Sequence, residues 1–115
     1  VSDEVLTLKH PSTLLALVTL SGTLSALGRQ AEAEPLQRQR LEVSEKVLGS
    51  KHPSTLIALG NLAETLRELG RQAESEPLQR RVLEVSEEVL GSKHPSTLIA
   101  LVHLDVTLSA LARQA

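Results

Sequence analysis

The sequence predicts an all-α protein built from stacked antiparallel helix pairs, the architecture of an α-solenoid. The string KHPSTL begins at Lys9, Lys51 and Lys93, so the chain repeats with a period of 42 residues. Residues 11–52 and 53–94 are identical at 31 of 42 positions. Apolar residues recur at helical spacing within each repeat. A unit of this size cannot bury its apolar face alone, so neighbouring units are expected to stack.

The period divides the chain into four segments. Residues 1–10 are interpreted as the remnant of a preceding repeat, 11–52 as repeat 1, and 53–94 as repeat 2. Residues 95–115 are the first half of a further repeat, its first helix only. The chain is therefore expected to form one continuous repeat array.

The first helix of each repeat is marked at both ends. Pro53 suits a first helical position, where its missing N–H is not needed. Gly70 tolerates the positive φ that commonly ends a helix. Between them the apolar residues keep helical spacing: Leu56, Leu59, Leu62, Ala63, Leu66 and Leu69.

The second helix of repeat 2 is predicted from about Ala73 to Leu90, with Gly91 ending it. Pro77 lies near the end of its first turn, where it removes a backbone hydrogen bond and bends the chain. Pro35 occupies the same place in repeat 1, so we expect the helix to continue through the proline. The short connections make the two helices antiparallel neighbours.

The composition excludes several classes of function. The chain has 115 residues, with 12 Lys and Arg against 14 Asp and Glu, a net charge of −2. This charge gives no basic surface for nucleic acid or an anionic membrane. The absence of Cys excludes disulfides and thiolate metal sites. The absence of Trp, Tyr and Phe removes any platform on which bases could stack. Because apolar runs are short, we expect no transmembrane helix and no signal peptide.

The segment HPSTLIALGNLAETLRELGRQAESEPLQRRVLEVSEEVLGSK resembles the 42-residue tetratricopeptide repeat (TPR) of kinesin light chains. The HP start, the NLA segment, the GRxxExEPL stretch and the closing VLG carry this resemblance, which extends over the whole chain. Similar repeats occur in fungal and bacterial signalling proteins of the STAND/NLR type. The resemblance implies a right-handed superhelix whose first helices line a concave groove.

The sequence departs from the family where aromatic residues are usual. Gln30, Gln72 and Gln114 stand where a Tyr is usual after the inter-helix glycine, and Gln37 and Gln79 replace a second Tyr. We therefore expect a core of Leu, Val and Ala alone.

Differences between the repeats concentrate on one face of the first helix. The second helix differs between repeats at only four positions. The resemblance places the variable positions on the inner wall of the groove, where a peptide or protein partner would bind. These positions are Leu15, Val18, Thr19, Gly22, Ser25 and Ala26; Ile57, Gly60, Asn61, Glu64, Arg67 and Glu68; and Ile99, Val102, His103, Val106, Ser109 and Ala110.

Three groove residues carry more specific expectations. Asn61 resembles the asparagine with which many TPR grooves hold a peptide backbone, because its amide donates and accepts at once. Gly22 and Gly60 lower helix propensity by about 1 kcal/mol each relative to Ala. Their benefit is room, either for a ligand or for a neighbouring helix. Neutral drift on a solvent-exposed face is the alternative explanation of the variable positions.

Other candidate sites are weaker. His10, His52 and His94 recur every 42 residues, too far apart to share one metal ion, and are interpreted as residues that start helices. Glu64 and Glu68 form a solvated charged pair beside Arg67, with no nucleophile or metal ligand converging on them. We therefore predict that the chain is not an enzyme and uses no cofactor or metal.

Three functions follow from the sequence. The first is a cytoplasmic protein-interaction module that binds a peptide or protein in the groove, as the sensor region of a larger NLR/STAND-like receptor or in some other setting. The second is a structural scaffold, in which uncapped repeat ends associate end to end. The third is a cargo adaptor like a kinesin light chain, which shares the groove mechanism.

Overall fold

The computed structural model describes residues 11–114, which form five α-helices and contain no strand. The helices are α1 (Pro11–Ala26), α2 (Gln30–Val47), α3 (Pro53–Glu68), α4 (Gln72–Leu90) and α5 (Pro95–Gln114). This architecture confirms the predicted all-α helical-repeat solenoid. The remnant proposed for residues 1–10 lies outside the described residues, and the division into repeats stays a prediction.

The chain divides into two compact units between Ala58 and Leu59, within α3. In the N-terminal unit, α1 packs against α2. In the C-terminal unit, α4 packs against α5. The second half of α3 also belongs to this unit, and the hydroxyl of Ser75 on α4 donates a 2.6 Å hydrogen bond to the backbone carbonyl of Ala63 on α3.

The helix ends follow from local sequence. Gly28 has φ +77° and Gly70 has φ +80°, a conformation that costs glycine little because it has no Cβ. After α3, the N–H of Arg71 donates to the carbonyl of Leu66 at 2.8 Å, and the N–H of Gly70 donates to Arg67. These two bonds form a Schellman motif, which satisfies carbonyl groups left free at the helix end.

Pro35 and Pro77 lie inside α2 and α4, and both helices run through them without interruption. The prediction that these prolines do not break the helix is confirmed. Each lies at the sixth residue of its helix, so only one intrahelical hydrogen bond is lost near a helix start.

The core contains more polar residues than the sequence suggested. The apolar part includes Leu17, Leu41, Leu62 and Leu104. Polar side chains are also buried, so the expectation of a core made only of Leu, Val and Ala is wrong. They include Ser21, Gln37, Ser44, Thr55, Thr65, Ser75, Gln79, Ser86, Thr97 and Thr107.

The buried glutamines occupy the places where the family has tyrosine. Gln37 and Gln79 are only 5% and 4% exposed. The Oε1 atom of each is buried without a hydrogen-bond partner among the described residues. A buried acceptor that is left without a hydrogen bond costs free energy.

Helix α5 differs from the other described helices because it is long and apolar enough to cross a membrane. Helix α5 has this composition because apolar residues lie on its packed face and also on its exposed faces, at Leu98, Leu101, Val102 and Val106. The expectation of no transmembrane helix stays a prediction. Length and composition are weak grounds for a membrane span, and α5 already packs against α4.

Candidate partner-binding face

We call the eighteen positions predicted to bind a partner the variable face. None of them is buried in the structure. Leu15, Ile57 and Ile99 occupy equivalent positions in successive first helices, and each is more than half exposed. A large aliphatic side chain left exposed at the same place in every first helix is available for contact with a partner.

The two helical glycines of the variable face border open space. A Cβ atom added to Gly22 or Gly60 would meet no other atom within 4 Å. Both residues have φ values compatible with other amino acids. The neighbouring helices that the structure describes therefore do not require this room.

In the N-terminal unit the variable face is small and mostly apolar. The Thr19 hydroxyl donates a 2.9 Å hydrogen bond to the carbonyl of Leu15, one turn earlier. Its donor is therefore used within α1. Leu15, Val18, Gly22 and Ala26 supply a surface without charge.

In the C-terminal unit the variable face has a charged centre. The guanidinium of Arg67 donates hydrogen bonds to both carboxylate oxygens of Glu64, with Nε 3.2 Å from Oε2. This bond, together with the charges of Arg67 and His103, lowers the pKa of Glu64 although partial burial opposes the shift. Glu64 and Glu68 together raise the pKa of Arg67.

The charge of His103 on α5 contributes to the lowered pKa of Glu64 on α3. Helix α5 also exposes Ile99, Val102 and Val106. The variable positions of the C-terminal unit therefore include an ion pair on α3 and aliphatic side chains on α5.

Asn61 is exposed on the same face of α3. Its amide is accessible to a partner, as a backbone-binding role requires. Nothing in the structure distinguishes that role from ordinary solvation, so the role of Asn61 stays a prediction.

Comparison with known proteins gives the family. The sequence profile described as "Tetratricopeptide repeat" matches residues 13–86 and 61–115. The chain belongs to the TPR family. No curated protein matches the chain.

Two solved structures are similar to this TPR chain. One is the crystal structure of the nearly identical TPR-like repeats of a Podosopora anserina protein described as a kinesin light chain, and the other is a variant of the same protein. Each has a TM-score of 0.82 and 31% sequence identity over 90% of this chain. The chain spans about half the length of each of these neighbours, with 49% covered. The predicted TPR array of the kinesin-light-chain type is confirmed.

The repeated histidines start the first helices of the TPR units. Nδ1 of His52 accepts a hydrogen bond from the backbone N–H of Ser54 at 3.0 Å. Nδ1 of His94 accepts from Ser96 at 3.1 Å. Each ring thus satisfies one N–H group left free at the first turn, the role usually taken by Ser, Thr, Asp or Asn. His10 lies outside the described residues.

The part of the chain that the structure describes holds no group of three or more His, Asp or Glu residues that could hold a metal ion. Glu64 and Glu68 lie close enough to Arg67 to raise its pKa. The arrangement suits recognition of a partner by charge and shape, and the prediction of no catalytic activity stays a prediction.

Sequence reasoning missed one feature of the second helices. Arg40 is about nine-tenths buried on α2, and its Nε has no hydrogen-bond partner among the described residues. Burial lowers the pKa of this guanidinium. Val82 stands at the same position of α4, so the comparison of repeats marks the position as different but gives no sign that it is buried.

Proposed function

We propose that this TPR chain binds a peptide or a segment of a protein on the variable face of its first helices. TPR repeats form protein-interaction modules, and the finer assignment rests on one observation. All eighteen variable positions are accessible, whereas positions shared by the repeats, such as Leu17 and Leu59, form the core. A constant scaffold with an accessible face that changes from repeat to repeat is what a recognition module requires.

The chemistry of the C-terminal unit indicates the kind of segment that would bind there. Ile99, Val102 and Val106 offer exposed aliphatic contacts, and Glu64 is already neutralised by Arg67. Glu68 adds negative charge at the end of α3. We propose an extended segment with aliphatic side chains next to a basic one, its backbone held by the amide of Asn61.

A peptide-display screen tests the proposal. The native chain is compared with a face-swapped variant in which five residues of α3 are replaced by their α5 counterparts: G60V, N61H, E64V, R67S and E68A. The proposal predicts that the selected motif changes, because the charged centre disappears while the buried positions of α3 stay the same. A basic residue enriched by the native chain should be lost with the variant.

The matched control changes the second helix instead. Q39R and K46E replace two exposed residues of α2 by the residues at the equivalent positions of α4. Both changes therefore already occur between the repeats of this chain. The selected motif should not change. An identical motif from the native chain and the face-swapped variant, with unchanged helical circular dichroism, would overturn the proposal.

The wider settings stay proposals of the same kind. A sensor region of an NLR/STAND-like receptor and a cargo adaptor both use this face and differ in the rest of the polypeptide. The cytoplasmic location and the absence of nucleic-acid and membrane partners also remain predictions. End-to-end association as a scaffold would use surfaces other than the variable face. A scaffold role therefore predicts that the chain self-associates and that the face-swapped variant self-associates to the same extent.

A further inference from the structure

Arg40 on α2 is more deeply buried than the apolar residue at the equivalent position of α4. Arg40 is 9% exposed, whereas Val82 is only partly buried. This order is the reverse of what hydrophobicity predicts, because arginine is almost never fully buried unless it is paired. We therefore expect Arg40 to have a partner of opposite charge.

The described residues do not supply this partner. Helix α1, which packs against α2, contains no Asp or Glu. On α2, Glu34 accepts a 2.9 Å hydrogen bond from Nε of Arg38. Glu42 accepts a 3.3 Å hydrogen bond from Lys46. Burial alone shifts the pKa of Arg40, and no nearby charge contributes. The charge of Arg40 is therefore not balanced within the part of the chain that the structure describes.

The residues one helical turn before and after Arg40 are polar and buried as well. Gln37 and Ser44 are 5% and 1% exposed, and residues three or four apart lie side by side on a helix. Nε of Arg40, Oε1 of Gln37 and Oγ of Ser44 have no hydrogen-bond partner among the described residues. The guanidinium, the amide and the hydroxyl all carry hydrogen-bond donors. These polar surroundings favour a negative charge beside Arg40.

The chemistry of the guanidinium indicates which anion fits. Arginine keeps its charge at every accessible pH, and a buried charge without a partner is strongly unfavourable. Nε is sealed from solvent, whereas the two outer nitrogens of Arg40 are not sealed in this way, so an anion reaches Arg40 at its outer end. Two parallel N–H groups of a guanidinium match the two oxygens of a carboxylate.

We propose that the outer end of Arg40 binds a carboxylate group from outside the chain, in surroundings that Gln37 and Ser44 keep polar. The carboxylate is either a small free anion or an acidic side chain of a partner protein, and the recognition chemistry is the same. Repeat 2 does not share this site, because Val82 stands in place of Arg40. This inference goes beyond the proposed function, since α2 carries none of the variable face.

Urea denaturation at neutral pH, with sodium acetate replacing sodium chloride at constant ionic strength, tests the proposal on the whole chain. Acetate at ten times its Kd should lower the unfolding equilibrium constant of the native chain about tenfold, because it binds only the folded state. R40V, which introduces the residue of α4, should lose this effect. In chloride R40V should be at least as stable as the native chain, since an unpaired buried charge is removed.

R81Q is the matched control, because it replaces another arginine by its α2 counterpart, Gln39. It should keep the full acetate effect, and any general effect of acetate on proteins should be equal in all variants. R40K keeps the charge but loses the planar pair of N–H groups, so its acetate effect should be smaller than that of the native chain.

A capped glutamate pentapeptide, Gly-Gly-Glu-Gly-Gly, distinguishes the two sources of the carboxylate, with the glutamine peptide as its control. Stabilisation by the glutamate peptide alone of these two supports an acidic side chain of a partner as the ligand. Stabilisation by acetate but by neither peptide supports a small free carboxylate.

An NMR titration of the native chain keeps the test independent of how the variants fold. The ¹⁵N–¹H signal of the Arg40 Nε–H group should shift with acetate and saturate. No saturable shift, or equal acetate effects on the native chain and a folded R40V, would overturn the proposal. Asp3 and Glu4 lie outside the described residues, and an acetate effect seen only in the D3N/E4Q variant would make the chain itself the source, which also overturns an external ligand. None of these variants alters the variable face, so failure here leaves the proposed function untouched.

Discussion

Helices α3 and α5 have nearly the same sequence at their starts and very different surroundings. Both begin with PSTLIAL. On one face they are alike, because Ala58 and Ala100 are both buried. On the next face Leu59 is buried and Leu101 is half exposed. Identical residues in identical helices thus differ in exposure because α4 meets α3 there, while no described helix covers the same face of α5.

The largest expected effect comes from removing the same side chain from both helices. L59A should destabilise the chain by about 2–5 kcal/mol, because it leaves a cavity in a packed core. L101A should cost about 1 kcal/mol or less, since half of the side chain is already in water. Urea denaturation followed by circular dichroism measures both. Equal losses would mean that the side of α5 that holds Leu101 is covered in solution.

The second comparison concerns Asp105, which is exposed on α5 and equivalent to the buried Ala63 of α3. A63D should cost about 2 kcal/mol or more, because it places a carboxylate in a contact that excludes water. D105A should change the free energy of unfolding by about 0.5 kcal/mol or less. Ser75 offers one donor to the new carboxylate, so A63D should cost still more in an S75A background. A cost of A63D that S75A leaves unchanged would show that Ser75 does not donate to the new carboxylate.

A feature shared by both helices provides the internal control. H52A and H94A should each destabilise by about 1 kcal/mol, because each removes the acceptor that satisfies an N–H group of the first turn. The two losses should be equal, since the hydrogen bond is local and does not depend on the packing that separates α3 from α5. H52N and H94N should restore stability, and thermal denaturation at neutral pH measures all four variants.

A smaller effect of opposite sign is expected on the variable face. G60A should stabilise the chain by about 1 kcal/mol, because alanine favours the helix and its Cβ meets no atom within 4 Å. Valine already occupies the equivalent position 102 of α5. G70A is the control and should destabilise, since Gly70 has φ +80°. A destabilising G60A would show that the space beside α3 is filled.

The smallest effect concerns pH. Arg67 lowers the pKa of Glu64, and α5 has Ser109 in place of this arginine. A carboxyl group with a lowered pKa stabilises the fold above its unfolded value of about 4.3, and this contribution is lost as the pH falls through the folded value. R67S should raise the pKa of Glu64 toward its ordinary value, as a ¹³C NMR titration of the Glu64 carboxyl group measures.

Because both side chains of this pair are about one-third exposed, solvent screening limits its contribution to roughly 0.5 kcal/mol. E68Q is the control for R67S. It removes a nearby charge without removing the hydrogen bond to Glu64, so the pKa of Glu64 should move much less. An unchanged pKa in R67S would show that the ion pair does not form in solution.

Much of the fold could be predicted because the signals are local and repeated. Pro53, Gly70 and Gly91 mark helix ends by properties of their own backbones, and the structure agrees with them to within a residue or two. The variable face could be named residue by residue for the same reason, since helical spacing decides which side chains share a face. That a partner binds there remains a proposal, because accessibility alone does not identify a ligand.

The features that sequence reasoning missed depend on neighbours distant in sequence. Gln79 is typical of a surface residue, yet it lies in the core at the place of a family tyrosine. Arg40 is buried although arginine prefers water, and only the packing of α2 decides this. Ser75 reveals its role only through its bond to Ala63, twelve residues away.

The amino-acid sequence was enough to predict the period, the helices, the turns between them and the TPR family, because backbone preference and helical spacing act over a few residues. Which faces are buried was decided by the packing of one helix on another. Burial depends on whether a second helix is present, and the free energy of an apolar side chain changes with the water it loses. For that reason PSTLIAL forms the same helix in α3 and α5, yet Leu59 lies in the core and Leu101 lies at a surface.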